Sequence, residues 1–400
     1  MRIKNIPTSL LLLSLNSLLF LVGCSSGISS SPAGPSSPSV TPELAECTTS
    51  TTYSSPVIIT GTANFYKRGL ALSSSGSSIT KITLGGPTSA LPIKFAEVRV
   101  LDSAGTVVQC GSTNASGALK AVDGISNLNI SNTAGTYSVQ VLSRAQHSLS
   151  GPMGKAAFVF HASVKSDIYS NQVYAITSSV TSAGSGTVTA TGLTAYARET
   201  DDAAVKGGAF NIYNSILTTY EYISQNTGTS NITCINPKLD IFWKVGFNPA
   251  QYLYPNSDPA SLGTLSFYVR GDNQLYINGG QLGEIKISDT DHFDDTVIIH
   301  ELGHHVEDVC GKMDSPGGTH YGLYRIDPRL AWSEGWGNFF GTHMLKNNTN
   351  SINPDLAAQI AAINGNGWQF YLDTSGYVDG SVTSGGEYIR LNLTKSGNNP

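Results

Sequence analysis

Charged side chains are scarce in this sequence. Asp, Glu, Lys and Arg make up 13% of the 400 residues, whereas about a quarter is usual in globular proteins. The net charge is −5 and the isoelectric point is near 5.9, and Lys and Arg occur singly, not in clusters. No positive surface is therefore expected to hold a phosphate backbone, which excludes nucleic acid as a partner. Ser, Thr, Gly and Asn are abundant, a balance typical of exported, β-rich proteins.

The sequence also lacks a long hydrophobic run. The apolar stretch near the N-terminus, 10–22, is about 13 residues long and is interrupted by polar residues, whereas a transmembrane helix needs about 20. Arg2 and Lys4 precede it, as in an export signal. Residues 21–24, Leu-Val-Gly-Cys, resemble a bacterial lipobox. An ordinary secretory signal, or a thin membrane span, is the alternative.

The lipobox resemblance implies that 1–23 is a lipoprotein signal peptide, cut off before Cys24. The thiol of Cys24 would then carry a diacylglycerol and its new amino group an acyl chain such as palmitate, which would anchor the chain to a membrane without spanning it. Ser25 directly after the cysteine favours the outer membrane. We therefore expect a bacterial cell-envelope protein with the membrane as a partner.

Cysteine is rare, and no Cys-x-x-Cys pair of the kind that binds metal is present. With Cys24 lipidated, four of the five cysteines remain, and an even number in an exported chain favours two disulfides. Three pairings are possible, and buried free thiols are the alternative. We predict one bridge in each half of the chain: Cys47 with Cys110, and Cys234 with Cys310.

The chain divides by composition into a tether and two folded regions. Residues 24–54 are rich in Ser, Pro and Thr, which predicts a flexible tether. Short alternating runs separated by turn residues predict an all-β sandwich over 55–198. Apolar residues at spacings of three and four then begin at Ala209, which predicts a helix and a second, α+β domain over 199–400. The sequence leaves open whether that domain ends at residue 400.

The strand and turn spacing of the sandwich resembles that of carboxypeptidase-regulatory and transthyretin-like domains, which have an immunoglobulin-like architecture. The resemblance covers about 90 residues and implies a fold only. It is carried by these segments: 59–63, 92–109 with a hairpin turn at 102–105, 113–117 and 137–141.

The second region contains the pattern His-Glu-x-x-His, formed by His300, Glu301 and His304. Its flanks favour a helix, and Asp294 and Asp295 are placed to cap its start and to face the positive end of its dipole. Residues four apart project from one face, about 5–6 Å apart at Cβ, which suits two imidazoles on one zinc ion. Glu301 lies beside them and can take a proton from water. We predict one Zn²⁺ per chain, with Glu301 as the catalytic residue; a chance occurrence of the pattern is the alternative.

Zinc needs a third protein ligand. A metzincin would supply a histidine from the pattern His-x-x-Gly-x-x-His, but positions 307 and 310 are Glu and Cys, which excludes that class. A gluzincin uses a glutamate on a second helix, and Glu334 stands 30 residues after His304. Asn338, one turn later, is a candidate to orient a ligand histidine. In the alternative, an aspzincin, Asp327 or His320 would be the ligand.

The stretch 300–340 resembles a group of uncharacterised bacterial exported proteins with a gluzincin-type zinc site. The shared motifs are His-Glu-x-Gly-His-x-x-Glu at 300–307, Gly-Gly-x-His at 317–320, Asp-x-Arg-x-Ala at 327–331 and Glu-Gly-x-Gly-Asn at 334–338. The resemblance implies a zincin-like metallopeptidase domain. Its substrates would be proteins or peptides.

The expected activity is zinc-dependent hydrolysis of peptide bonds, with His300, His304 and Glu334 as ligands. Glu301 would assist the attack of water, and the oxyanion would be stabilised by one of His320, Tyr321 and Tyr324. The alternative function is a surface-anchored binding or adhesion lipoprotein with a structural or inactive zinc site. Structural zinc usually has four protein ligands, however, which disfavours this alternative.

Overall fold

The computed structural model describes 25–26, 41–75, 78–149, 158–198, 201–226, 233–254, 257, 264–280, 289–318, 320, 325–352, 368–374 and 386–392. The predicted signal peptide lies outside these residues, as do Cys24, Tyr321 and Tyr324. Among the described residues, no helix combines the length and the apolar character needed to cross a bilayer.

The protein is rich in β-sheet and has a few helices, as expected for a multidomain β-rich chain. The helices of the described residues are α1 (Lys206–Asn226), α2 (Ala250–Leu253), α3 (Asp295–Cys310) and α4 (Pro328–Ile352), with a 3₁₀ turn at Thr233–Ile235. The strands are β1 (Ser25–Ser26), β2 (Val57–Gly61), β3 (Asn64–Phe65), β4 (Arg68–Ser75), β5 (Ser78–Pro87), β6 (Leu91–Pro92), β7 (Glu97–Leu101), β8 (Val107–Thr113), β9 (Leu119–Ala121), β10 (Leu128–Ile130), β11 (Ala134–Leu142), β12 (Arg144–Leu149), β13 (Phe158–Lys165), β14 (Ala175–Ala183), β15 (Thr187–Ala190), β16 (Thr194–Ala195), β17 (Leu239–Phe242), β18 (Phe267–Val269), β19 (Gln274–Tyr276), β20 (Trp368–Thr374) and β21 (Gly386–Asn392).

The N-terminal region is built from short strands, most of them paired antiparallel, although β15 pairs with β2 in parallel. Five of them form a sheet in the order β14-β11-β7-β8-β9, and β10-β2-β15 form a smaller one. Buried and exposed residues alternate along β14, which shows that one face of the larger sheet is covered. Valines and isoleucines of both sheets, including Val57, Ile59, Val98 and Val139, belong to one buried apolar cluster. The strands therefore enclose a core, as the alternation in the sequence predicts.

A six-stranded mixed sheet carries the second region, in the order β1-β18-β19-β17-β13-β12. β13 pairs in parallel with β17, and Ala162 faces Leu239 in that register. Helix α1 covers the sheet, and Phe160 of β13 meets the rings of Tyr213 and Tyr220 edge-on at 5.6 and 5.3 Å between centroids. This sheet and its core therefore cross the predicted division at 198/199.

Residues 41–54, the end of the predicted tether, are packed against the rest of the protein. Glu43 contacts Lys238 at 2.6 Å, Arg144 at 3.0 Å and Lys165 at 3.2 Å. Burial alone would raise the pKa of Glu43, but the lysines and Arg144 outweigh it and lower the pKa to about 2. The Tyr53 hydroxyl donates to the Val108 carbonyl at 2.5 Å. Because these polar contacts join residues about 60 to 200 positions apart in the sequence, composition alone does not reveal them.

Both predicted disulfides are confirmed. Cys47 is bonded to Cys110, and Cys234 to Cys310. The first bridge fastens the segment 41–54 to β8. The second joins the 3₁₀ turn to the last residue of α3, so each half of the chain contains one bridge.

A buried ion pair connects the N-terminal region to the start of α3. The Lys67 ammonium contacts both carboxylate oxygens of Asp295, at 2.6 and 2.5 Å, and donates to the Ile352 carbonyl at 3.0 Å. Asn211 and Ser215 of α1 donate to the same carboxylate at 3.0 and 3.2 Å. The side chains of Lys67 and Asp295 are 0% and 1% exposed. Three separate segments are therefore joined at the first turn of α3.

We predict that Lys67→Met lowers the free energy of unfolding by about 3–5 kcal/mol, because it leaves a buried carboxylate without its cation. Lys94→Met is a matched control, since the Lys94–Glu221 pair is 16% and 23% exposed and such a pair contributes about 1 kcal/mol or less. Urea unfolding of both variants measures the difference. Equal losses in the two variants would contradict a special role for the buried pair.

Candidate metal centre

Helix α3 carries the His-Glu-x-x-His pattern and is buried over most of its length. His300, Glu301 and His304 are between 0 and 2% exposed. Asp294 stands at the N-cap position, but its side chain makes no capping hydrogen bond, contrary to the prediction. Asp295 lies in the first turn and is held by Lys67, where a negative charge favours the helix dipole.

The two histidines and Glu334 converge on one point. The Nε2 atoms of His300 and His304 are 2.9 Å apart. Glu334 approaches His300 Nε2 at 3.3 Å through Oε2, and His304 Nε2 at 3.7 Å through Oε1. One ligand atom from each of the three residues lies within 4.8 Å of the others. This His-His-Glu triad can bind a metal ion.

The contact between α3 and α4 depends on small residues at three positions. A Cβ atom on Gly337 would lie 2.7–2.9 Å from the imidazole ring of His300, and one on Gly341 would lie 2.7 Å from the Thr296 carbonyl. On the facing helix, Gly303 lies against the side chain of Phe340. Side chains at these positions would push the helices apart. The glycines therefore bring Glu334, two turns before Gly341, within reach of the histidines.

Ser333 and Glu307 lie on the Nδ1 side of the His304 ring. Ser333 Oγ lies 3.1 Å from His304 Nδ1 and donates to Glu307 Oε2 at 2.7 Å. Because Nδ1 is engaged there, Nε2 is left to face Glu334, and a second partner of this kind usually orients a ligand histidine. Sequence reasoning did not assign these two residues. The role of Glu307 could have been predicted, because Glu307 lies one helical turn after His304 on the same face. The position of Ser333 next to Glu334 in the sequence gives no comparable indication of its role.

Of the other residues that the sequence suggested for the site, the structure places some at the metal centre and some elsewhere. Asn338 lies on α4, is partly exposed, and accepts a hydrogen bond from Thr342 at its backbone carbonyl, 2.8 Å away. His320 reaches the centre, with Nε2 3.3 Å from Glu334 Oε2. Asp327 is instead joined to Arg329 at 3.0 Å on the surface. Tyr321 and Tyr324 lie outside the described residues.

The electrostatics of the centre favour an ionised carboxylate. Burial alone would raise the pKa of Glu334, but His304, His300 and His320 outweigh it and hold that pKa well below its usual range. Burial lowers the pKa of His304, while Glu334 and Glu307 raise it more. In the same way, burial of His320 is outweighed by Glu334, and its pKa is raised. Each group thus stabilises the charge of its neighbour.

The donor set fits zinc. Two imidazole nitrogens and one carboxylate oxygen are the ligands found in catalytic zinc sites with an open fourth position. All three side chains are buried or nearly so, with the Glu334 side chain 13% exposed. A cation of borderline softness is better suited to this nitrogen-rich set than Mg²⁺ or Ca²⁺, which prefer oxygen ligands.

Comparison with known proteins identifies no relative of known function. No protein-family model matches the chain, and no solved structure matches it. An uncharacterised protein of Archaeoglobus fulgidus is 32% identical over 77 residues, which is 18% of this chain and 22% of that protein. The match therefore spans about a fifth of each chain.

We predict that Gly337→Ala weakens zinc binding at least about tenfold, because the added methyl group displaces the ring of His300 and with it the site geometry. Gly335→Ala on the same helix is the control, since a Cβ atom there meets no neighbour within 4 Å. Competition with a chromogenic chelator measures the affinities. A Gly337→Ala protein that binds zinc as tightly as Gly335→Ala would refute the packing argument.

Ser333→Ala is expected to reduce zinc affinity by about 10- to 100-fold, because it removes the partner of His304 Nδ1. Ser178→Ala, which changes a buried serine of β14 in the N-terminal region, serves as its control. The same chelator competition applies. Unchanged affinity in Ser333→Ala would show that the hydroxyl does not orient His304.

Proposed function

We propose that this protein is a zinc metallopeptidase of the gluzincin type, with His300, His304 and Glu334 as ligands and Glu301 as the proton acceptor. The observation that carries the proposal is the convergence of His300, His304 and Glu334 on one buried point. We further propose that the helices of 199–400, together with the mixed sheet to which β12 and β13 contribute, form a zincin-like domain, and that the other strands of 55–198 form a sandwich of the transthyretin-like type. The first is supported by two packed helices beside a mixed sheet, and the second by the antiparallel five-stranded sheet and the smaller sheet β10-β2-β15.

The ligands of the centre and Glu301 have separate roles in the proposed hydrolysis of peptide bonds. Zinc held by the triad would act as a Lewis acid that polarises the carbonyl and makes water acidic enough to attack near neutral pH. Glu301, fully buried next to His300, accepts the proton of the attacking water and passes it to the leaving nitrogen. On the inner face of the site, α3 and α4 are in close contact at Gly303, Gly337 and Gly341.

His320 is the best-supported candidate for stabilising the oxyanion. Its Nδ1 lies 2.9 Å from the Gly318 carbonyl, and since a carbonyl only accepts, this nitrogen carries the proton. A second proton on this ring would lie on Nε2, which faces the centre and is 3.3 Å from Glu334 Oε2. A positive donor at that position suits the negative charge that develops during attack.

We also propose that the chain is a lipoprotein of the bacterial cell envelope, attached through lipid on Cys24 and most compatible with the outer membrane. Support comes from the lipobox at 21–24 and from two disulfides, which form in oxidising compartments. Peptide or protein substrates would then be met outside the cytoplasm.

The direct test compares the native chain with Glu301→Gln on a peptide library. We expect both proteins to bind one zinc ion, and the variant to lose cleavage by about 10²–10⁴-fold, because the proton acceptor is gone while the ligands remain. Glu221→Gln, on α1 and paired with Lys94, should cleave normally. Bound zinc without cleavage that depends on Glu301 would contradict the peptidase and favour a binding protein with a structural zinc ion.

A further inference from the structure

A second group of acidic side chains lies ahead of α3 in the sequence and includes none of the zinc ligands. Asp289 and Asp291 precede the helix in the chain, and they meet Ser266 and Asn278 from the two ends of the β18–β19 hairpin. Asp291, Ser266 and Asn278 are 2%, 1% and 0% exposed. This acidic group is defined by these four residues.

Hydrogen bonds hold the four residues in a fixed arrangement. Ser266 donates to Asp291 Oδ2, and the backbone nitrogen of Asn278 donates to Ser266 Oγ at 2.8 Å. The Asn278 amide donates to Asp289, at 2.9 Å to its carbonyl and 3.2 Å to Oδ2. The Asp291 nitrogen in turn donates to the Asn278 carbonyl at 2.9 Å. Each carboxylate thus has one oxygen, Oδ2, fixed by a neutral donor.

The other oxygen of each carboxylate has no protein donor. Asp289 Oδ1 and Asp291 Oδ1 are buried and make no hydrogen bond. In contrast with Asp295, which has Lys67, neither residue takes part in any ion pair among the described residues. Two buried carboxylates with unbonded oxygens and no cation are unfavourable by several kcal/mol unless a proton or a cation is added.

Burial and neighbouring carboxylates further destabilise the ionised forms of Asp289 and Asp291. Burial, and after it the neighbouring carboxylate of Asp289, raises the pKa of Asp291 well above its usual range; Asp294 and Glu301 add to the effect. Burial also raises the pKa of Asp289 to about 6. A bound dication would let both groups remain ionised at neutral pH.

We propose that Asp289 and Asp291 bind a divalent cation, with Ca²⁺ as the preferred ion. The available ligands are all oxygens, which suits a hard cation, and Ca²⁺ tolerates irregular geometry better than Mg²⁺ does. Zinc would prefer the histidine-rich centre on α3 and α4. The acidic group connects the β18–β19 hairpin to the segment that leads into α3. The cation therefore stabilises the position of this segment and of the start of the helix.

The test titrates the full chain, with its zinc centre loaded, with CaCl₂ and measures the bound calcium and the midpoint of thermal unfolding. We expect one Ca²⁺ per chain and a midpoint that rises by about 4 °C when Ca²⁺ reaches about 100 times its Kd. MgCl₂ should have a smaller effect. A native chain that binds no Ca²⁺ and whose midpoint does not respond would overturn the proposal; it would mean that the two carboxylates share a proton instead.

Asp291→Asn and Asp289→Asn should each weaken Ca²⁺ binding at least about tenfold, since each removes one charged ligand. Asp272→Asn, an exposed aspartate in the turn of the same hairpin, should bind Ca²⁺ as the native chain does. Native-like affinity in both buried variants would contradict the assignment. Should a buried variant fail to fold, the titration of the native chain still decides the question.

Discussion

The close packing of α3 against α4 is the contact on which the candidate metal centre depends. His300 and His304 are four residues apart on one helix and would face the same way in isolation, but Glu334 belongs to another helix. It reaches them because Gly337 and Gly341 leave room for the ring of His300 and for the backbone of α3. The indole of Trp336 adds a hydrogen bond of 2.9 Å to the Gly303 carbonyl. The helix pair therefore acts as a rigid support that brings three ligands from two helices to one point.

Charged side chains at both ends of α3 connect this helix pair to distant parts of the chain. Lys67 neutralises Asp295 at the start of α3, and Asp308 near its end accepts hydrogen bonds from Tyr268 at 2.8 Å and from the Gly271 nitrogen at 3.0 Å. The helix is thus held at both ends, by the N-terminal region and by the β18–β19 hairpin. Buried pairs of this kind add little net stability but are costly to break, so they favour one arrangement over others.

The local parts of this structure could be predicted from the sequence, and the long-range parts could not. The spacing of His300 and His304 follows from helix geometry, and the four cysteines left after Cys24 favoured two disulfides, for which one bridge in each half was the predicted pairing. By contrast, β13 pairs in parallel with β17 across about 75 residues, and residues 41–54 pack through Glu43 although their composition predicts a tether. Such contacts join side chains that are far apart in the sequence. A local periodic pattern does not identify the distant residue that each of them contacts. Ser333 and the acidic group ahead of α3 were missed for the same reason.

The central claim is that the triad holds zinc, and X-ray absorption at the zinc edge of the purified chain tests it most directly. The account predicts stoichiometric zinc with only nitrogen and oxygen ligands at about 2.0–2.1 Å, including the outer scattering of two imidazoles. The imidazole signal should decrease in His300→Ala. Zinc bound through sulfur at about 2.3 Å, or no stoichiometric zinc after loading, would contradict it.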